Sequence, residues 1–393
     1  MAADMSVYDK VLKEDYDDAI VEQFNNKTIL LKRIRRDSES LVGREFVIPV
    51  HVGRNEGIGF RGEHDTLAPA GQQRYEDLRY RPHYVWGQIH ITEVLIEHTK
   101  SDRGAFVRAL DAEVRGMVRD MIAEVNRILW GDGTGLLAAT KANNNTNVIA
   151  LEDNARMGYF RVGMVVDILA VADGTPVATQ RKITAVDKTA KTITIDGAPI
   201  TTTTDHGVYR FGNYGKVANG LMNVVSDTGN LGGLNPANPG QEFWASHVFS
   251  NGGTLRDISE ELLQQAFDAP TEETNGEVSL VIGSFGVRRA YQSLLTALRR
   301  YVNTMELEGG FSALEFNGKP FTVDKDAPYN TLFLLDETYL RLFETSKPKW
   351  MDRDGAVLKY DGNTGWRAIY RWFFNLGTDL RAAHARIDDL REK

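Results

Sequence analysis

At 393 residues the chain is too long for one small core and suits two or three packed units, with apolar (42%) and charged (25%) shares ordinary for a globular protein. It has no cysteine, which excludes disulfides and thiolate chemistry, and no run of about 18 apolar residues that would make a membrane helix. The formal net charge of −8 disfavours general nucleic-acid binding, which needs clustered cations, and the start at Met1 lacks the basic-then-apolar layout of a secretory signal.

In chain order, residues 1–43 read as an arm in which 21–24 and 29–31 suit short helices. Lys32, Arg33, Arg35 and Arg36 form a dense basic cluster, by default a solvated face or a partner for nearby acids. Residues 44–52 follow as a strand with Phe46, Ile48, Val50 and Val52 alternating onto one face. A return strand over 78–92 carries Tyr80, Tyr84, Trp86, Ile89 and Ile91, and the polar, Gly-rich stretch 53–77 lies between. A two-stranded ribbon is marginal alone in water, and Pro49 and Pro82 each delete a ladder donor, which suits edge positions. The ribbon is therefore expected to lie on another surface, that of a neighbouring subunit.

Val107, Leu110, Val114, Met117, Val118, Met121, Val125 and Ile128 recur three and four residues apart, a single apolar helix stripe. Ser101 and Asp102 supply caps and Gly131 a stop, giving a spine about 40 Å long. Residues 150–217 change character to short strands with frequent turns, such as Asp187-Lys188-Thr189-Ala190. This spacing predicts a small all-β barrel or sandwich inserted into the surrounding domain. From 218 the pattern is mixed again. Thr254 to Asp257 approximates a capping box before a helix burying Leu255, Ile258, Leu262 and Ala266. Strands are expected at 278–283, 318–323, 331–335 and 365–374, with a helix over 285–301 and a further extended segment from Thr378.

Chemical motifs do not survive inspection. Gly57-Ile58-Gly59-Phe60-Arg61-Gly62 satisfies G-x-G-x-x-G, but a loop sequence follows where the helix that holds a pyrophosphate should begin. Gly212 to Lys216 and Gly318-Lys319 lack the remainder of a phosphate loop. The eight histidines show no metal-ligand spacing, and Gly283-Ser284 reads as a helix cap, not a nucleophile elbow. No catalytic, cofactor or metal residue is assigned.

The order of parts resembles the major capsid protein of tailed bacteriophages, which has the Johnson (Hong Kong 97-like) fold. Ile128-Leu129-Trp130-Gly131-Asp132-Gly133-Thr134-Gly135 is similar to that family's spine-helix ending, and Ala218-Asn219-Gly220-Leu221-Met222-Asn223 to the glycine-leucine strand that follows it. The stretch 136–217 separates the two here, so the β module reads as an insertion. Residues 255–267, 280–301 and 317–336 follow the family's order for the rest of the core.

The resemblance implies an α+β chain with an N-arm (1–43), an E-loop hairpin (44–98) and a P-domain with the spine helix (99–149). It further implies the inserted small all-β module (150–217), a P-domain strand segment (218–239), a mainly A-domain region (240–365) and C-terminal return strands (366–393). The implied role is structural: pentamers and hexamers closing into an icosahedral head shell around double-stranded DNA, without sequence-specific contact and without a membrane. Implied partners are the chain itself, a separate scaffolding protein, a portal and a decoration protein. The implied location is the virion capsid, assembled in the host cytoplasm. Candidates for the subunit interface are Phe46, Ile48, Tyr84 and Trp86 as apolar contacts, with Arg54, Glu56, Arg61, Glu63, Arg74 and Glu76 setting register. Some relatives weld subunits through an E-loop lysine, and the chain has none between Gly43 and Thr99. The rivals are an encapsulin-like compartment shell, remotely a dinucleotide-binding enzyme, which cofactor titration would reveal, and a carbohydrate- or host-binding surface protein, which would rest on the β module alone.

Overall fold

The computed structural model describes residues 28–53, 55, 57–63, 66, 69–92, 103–274, 276–297, 304–307, 311–352, 359–360 and 365–393. The expected helix at 21–24 and the Ser101 and Asp102 caps lie outside these residues. The chain divides into two compact units, Met1–Arg127 with Val224–Lys393, and Ile128–Asn223.

In the first unit, one sheet is organised around the long strand Gly365–Thr378. Its Ala368, Tyr370, Trp372 and Phe374 alternate onto one fully buried face, the two-residue period of a half-covered strand. On one edge it pairs antiparallel with Leu340–Trp350, which in turn pairs in parallel with Arg35–Asp37. On the other edge it pairs antiparallel with His83–Thr92. The helix Arg103–Trp130 runs over the buried face, where a Cβ on Gly87 would strike the sulfur of Met121, so only glycine permits this approach. Val114, Val118, Met121 and Val125 of the predicted stripe are buried.

A second, seven-stranded sheet has the order His247–Phe249, Ala385–Ile387, Leu332–Leu335, Leu280–Gly283, Lys319–Val323, Phe311–Phe316, Thr304–Leu307. The helices Glu260–Thr274 and Phe285–Ala297 share its core through Leu263, Ala266, Val287 and Tyr291 packed with Val281, Phe321, Leu334 and Ile387. Ser284 caps the second helix, accepting from the Val287 amide at 3.2 Å. The first helix begins later than the sequence suggests. Ser259, not Thr254, caps it, accepting from the Leu262 amide at 3.2 Å. Residues upstream are held instead by Asp389, whose carboxylate accepts from the Asn251 and Gly253 amides at 2.7 and 3.1 Å, and Leu255 is exposed. Asn317 and Gly318, at φ 48° and 74°, form a two-residue hairpin turn, which accounts for the Gly318-Lys319 pair without any phosphate.

The second unit is a β module. Its six-stranded sheet has the order Leu136–Ala139, His206–Arg210, Val165–Ala170, Pro176–Asp187, Thr192–Ile195, Val148–Ala150. A two-stranded pair joins Asn143–Thr146 to Ile200–Thr202. Ile149, Val166, Ile168, Ile183, Ile193 and Val208 form its core. The module's strands thus begin at Leu136, upstream of the expected boundary at 150, because Leu136–Ala139 and Val148–Ala150 pair with strands from its far end. The expected strand at 218–223 is also absent; Leu221–Val224 is a short helix.

Candidate subunit interface

Glu45–Gly53 and Arg74–Tyr80 form the ribbon, in antiparallel register with Phe46 opposite Tyr80 and Ile48 opposite Leu78. Leu41–Val42 pairs on its outer edge. The return strand predicted over 78–92 is therefore two strands. Arg81-Pro82 breaks it, and the second half, His83–Thr92, belongs to the chain's own sheet. Proline cannot donate to a ladder, so the break falls where the sequence places it.

The ribbon's root is folded home. Phe46, Leu78 and Tyr80 are 0%, 0% and 1% exposed. Tyr80 stacks on Phe343 with ring centroids 4.7 Å apart, and Phe46 meets the same ring at 5.3 Å. The Tyr80 hydroxyl donates to the Thr378 carbonyl at 2.8 Å, the Arg79 amide to Gly232 at 2.8 Å, and Asn375 Nδ2 to the Arg81 carbonyl at 2.8 Å. Phe46 is thus corrected from an intersubunit contact to a core residue of its own chain. The alternating pattern showed that it needs an apolar neighbour, not which molecule supplies it.

Two of the arm's cations, and its Asp37, are paired within the chain as well. Arg33 bonds Glu337, Arg36 reaches Glu344 at 3.3 Å, and Arg341 bridges Asp37 at 2.9 Å and also Asp379. Burial alone would raise the Asp37 pKa, but hydrogen bonds from Ser40, Glu39 and Arg341 outweigh it and hold the carboxyl below its usual range. For Asp379 burial wins, and its pKa is raised despite Arg341.

Away from the root the picture reverses. Ile58 and Phe60, between the ribbon strands, are exposed, and Phe60 has no shelter at all. Tyr84 and Trp86 are 59% and 53% exposed on the sheet face opposite the helix. Phe373 sits between them, edge-on to Tyr84 at 4.7 Å and to Trp86 at 5.1 Å, and Arg371 lies over Phe373 at 5.4 Å. Large apolar side chains grouped this way on a surface mark an interaction site. Sequence reading passed over Phe373, Ile58 and Phe60. Strand parity with Tyr84 could have found the first, and the glycine-rich segment concealed the other two.

No family model matches the chain, and no curated protein does. Among solved structures, the Cyanophage A-1(L) capsid is similar at 13% identity over 93% of each chain, with a TM-score of 0.58. The capsid of an empty GTA particle is similar at 9% identity, covering 93% of this chain and 90% of that one, with a TM-score of 0.51. The chain has the Hong Kong 97-like capsid fold. At these identities the likeness establishes the α+β fold and nothing finer.

Within this Hong Kong 97-like chain the remaining predicted residues are scattered. Ile48 is half-buried on the ribbon. Arg74 and Glu76 pair with each other at 2.8 Å, which an exposed ribbon allows without a partner. Arg61 donates to the Phe60 carbonyl at 3.3 Å, and Glu63 is exposed. Arg54 and Glu56 lie outside the described residues. Among the described residues no group of His, Cys, Asp and Glu is arranged to hold a metal ion.

Proposed function

We propose that the chain is the major capsid protein of a tailed bacteriophage, assembling with copies of itself into pentamers, hexamers and an icosahedral head shell around double-stranded DNA. The observation that carries this reading is the capsid fold, shared with the cyanophage capsid over 93% of the chain. The exposed aromatic face and the bare ribbon tip support it, because both are apolar surface that assembly would cover. The work is then geometric. Each contact of about 800 Å² per partner is modest, and many closing together hold the shell by effective concentration. Tyr84 and Trp86 supply apolar contact at that boundary, with Ile48 beside the root and Arg61, Glu63, Arg74 and Glu76 tuning register. An exposed ion pair is worth at most about 1 kcal/mol, so the aromatic residues dominate. A separate scaffolding protein, a portal and a decoration protein complete the particle, which forms in the host cytoplasm. The role needs no catalysis. Negative-stain microscopy with sedimentation of the purified protein tests it: shells or capsomers are expected, and a lasting monomer at high concentration overturns the assignment.

A further inference from the structure

The sheet face that carries Tyr84 and Trp86 is also cationic. Register places Lys349 opposite Arg371 and Arg371 opposite Trp86 in one cross-strand row, and Arg367 opposite His90 four residues further along. Cross-strand partners share a face, so Lys349, Arg367 and Arg371 lie beside the aromatic patch. Lys347 is exposed on the strand that carries Lys349. Among the described residues, no carboxylate forms an ion pair with any of these four cations, whereas the arm's Arg33 and Arg36 each have one. In a chain of net charge −8, this face awaits an anionic partner.

We propose that its occupant is the acidic N-terminal segment, residues 1–27, of a neighbouring copy; the inference rests on the assembly reading above. That segment holds seven carboxylates against three lysines, and Glu14-Asp15-Tyr16-Asp17-Asp18 is the one five-residue window in the chain with four carboxylates. It also carries Tyr8, Leu12, Tyr16, Ile20 and Phe24 at intervals of four, apolar matter for the aromatic half of the face. Exposed Trp, Tyr and Arg together make a protein-binding surface, while a phosphate backbone asks only for cations, so a polypeptide fits better than DNA. The direction of the chain favours a neighbour over the same copy. Arg35–Asp37 runs parallel to Arg341–Phe343, and Arg33 bonds Glu337, so the backbone upstream of Arg35 heads away from Lys349. Eight strand residues separate Arg341 from Lys349, roughly 25 Å at the rise of an extended strand.

The test assembles a mixture of unlabelled and nitrogen-15-labelled full-length chains, couples adjacent amines and carboxylates with a carbodiimide, and maps the links by mass spectrometry. Links from Lys349 or Lys347 to Asp15, Asp17 or Asp18 are expected between light and heavy copies. The K349E/R367E variant should fold with a wild-type urea midpoint yet need about tenfold more protein to assemble, and adding D15K/D17K should restore assembly. Links confined to one copy, lysines left unlinked to residues 1–27, or shells forming from K349E/R367E at the wild-type concentration would each overturn the proposal. So would a loss of duplex-DNA retention in K349E/R367E with assembly unchanged. Wild-type chains that never oligomerise defeat the assembly reading itself, whereas normal wild-type shells without the links defeat this inference alone.

Discussion

The Tyr80 hydroxyl donates to the carbonyl of Thr378 at 2.8 Å, and the Thr378 amide donates back to the same oxygen at 3.3 Å. This exchange pins the root of an otherwise exposed ribbon to the end of the longest strand among the described residues. Gly377 next door makes it possible: a Cβ there would stand 2.6 Å from the Tyr80 ring and 2.8 Å from Phe343. Tyr80→Phe leaves a buried carbonyl unpaired and should cost about 1 kcal/mol. Gly377→Ala forces the ring off its seat and should cost about 1–3 kcal/mol. Urea unfolding measures both, and an unchanged midpoint for Gly377→Ala would show that the root does not pack this way.

Arg381 is fully buried. Its guanidinium donates to the carbonyls of Val224 at 3.1 Å, Thr228 at 2.8 Å, Gly229 at 3.1 Å and Trp244 at 3.4 Å, tying down the loop from 224 to 244. Burial lowers its pKa to about 10, still charged at neutral pH. Lysine cannot reproduce the planar fork. Arg381→Lys should therefore lose about 3 kcal/mol or more, read as a drop in thermal midpoint. A variant as stable as wild type would mean that the carbonyls find other donors.

His384 is also fully buried, and burial pushes its pKa down to about 4, with Asp336 pulling weakly the other way. Its Nδ1 accepts from the Asp336 amide at 3.3 Å, so Nε2 carries the proton and donates to Thr378 Oγ1 at 2.9 Å. Unfolded, the ring takes a proton near pH 6.5; folded, it does so only near pH 4. Its stabilisation is thus complete above about pH 6.5 and is lost as pH falls toward about 4, a loss of a few kcal/mol. Asp379 and Asp324, both raised by burial, act in the opposite sense and blunt the slope. His384→Gln should flatten the fall in urea midpoint between neutral and mildly acidic buffer; an identical fall would place acid sensitivity elsewhere.

Replacing Tyr84 and Trp86 together by alanine should leave a folded subunit, since both are more than half exposed and their sheet is held by Tyr370, Trp372 and Phe374 beneath. Assembly should weaken by about 2 kcal/mol or more, as for central aromatic anchors. Sedimentation velocity decides, and normal shells from the double variant would remove these residues from the interface.

A fragment comprising residues 128–223 should fold alone. Its six-stranded sheet is completed by strands from both of its ends, and its core draws only on its own residues. Circular dichroism should show a cooperative β transition; a fragment without one would mean that the rest of the chain is needed to form it.

Much of this was legible in one dimension. The stripe from Val114 to Val125 marks the helix because burying one side of a 3.6-residue repeat leaves an unmistakable period. Ser284 reads as a cap and residues 317–318 as a turn because those roles depend on neighbours in sequence. The start of the module was misplaced because Asn143–Thr146 is a strand made of residues that favour turns, held by pairing with Ile200–Thr202. Leu255 was misassigned because Asp389, more than a hundred residues away, claims the preceding loop.

The amino-acid order alone determined that there is a spine, a ribbon and a β module, since periodicity and spacing are local properties of a chain. Only the tertiary structure decided where the ribbon's apolar face goes. Phe46 and Tyr80 turn inward onto Phe343 while Tyr84 and Trp86 remain outside, although all four alternate alike in sequence. Hydrophobicity demands cover without naming who provides it, and that choice rests on contacts spanning nearly three hundred residues, which no local pattern records.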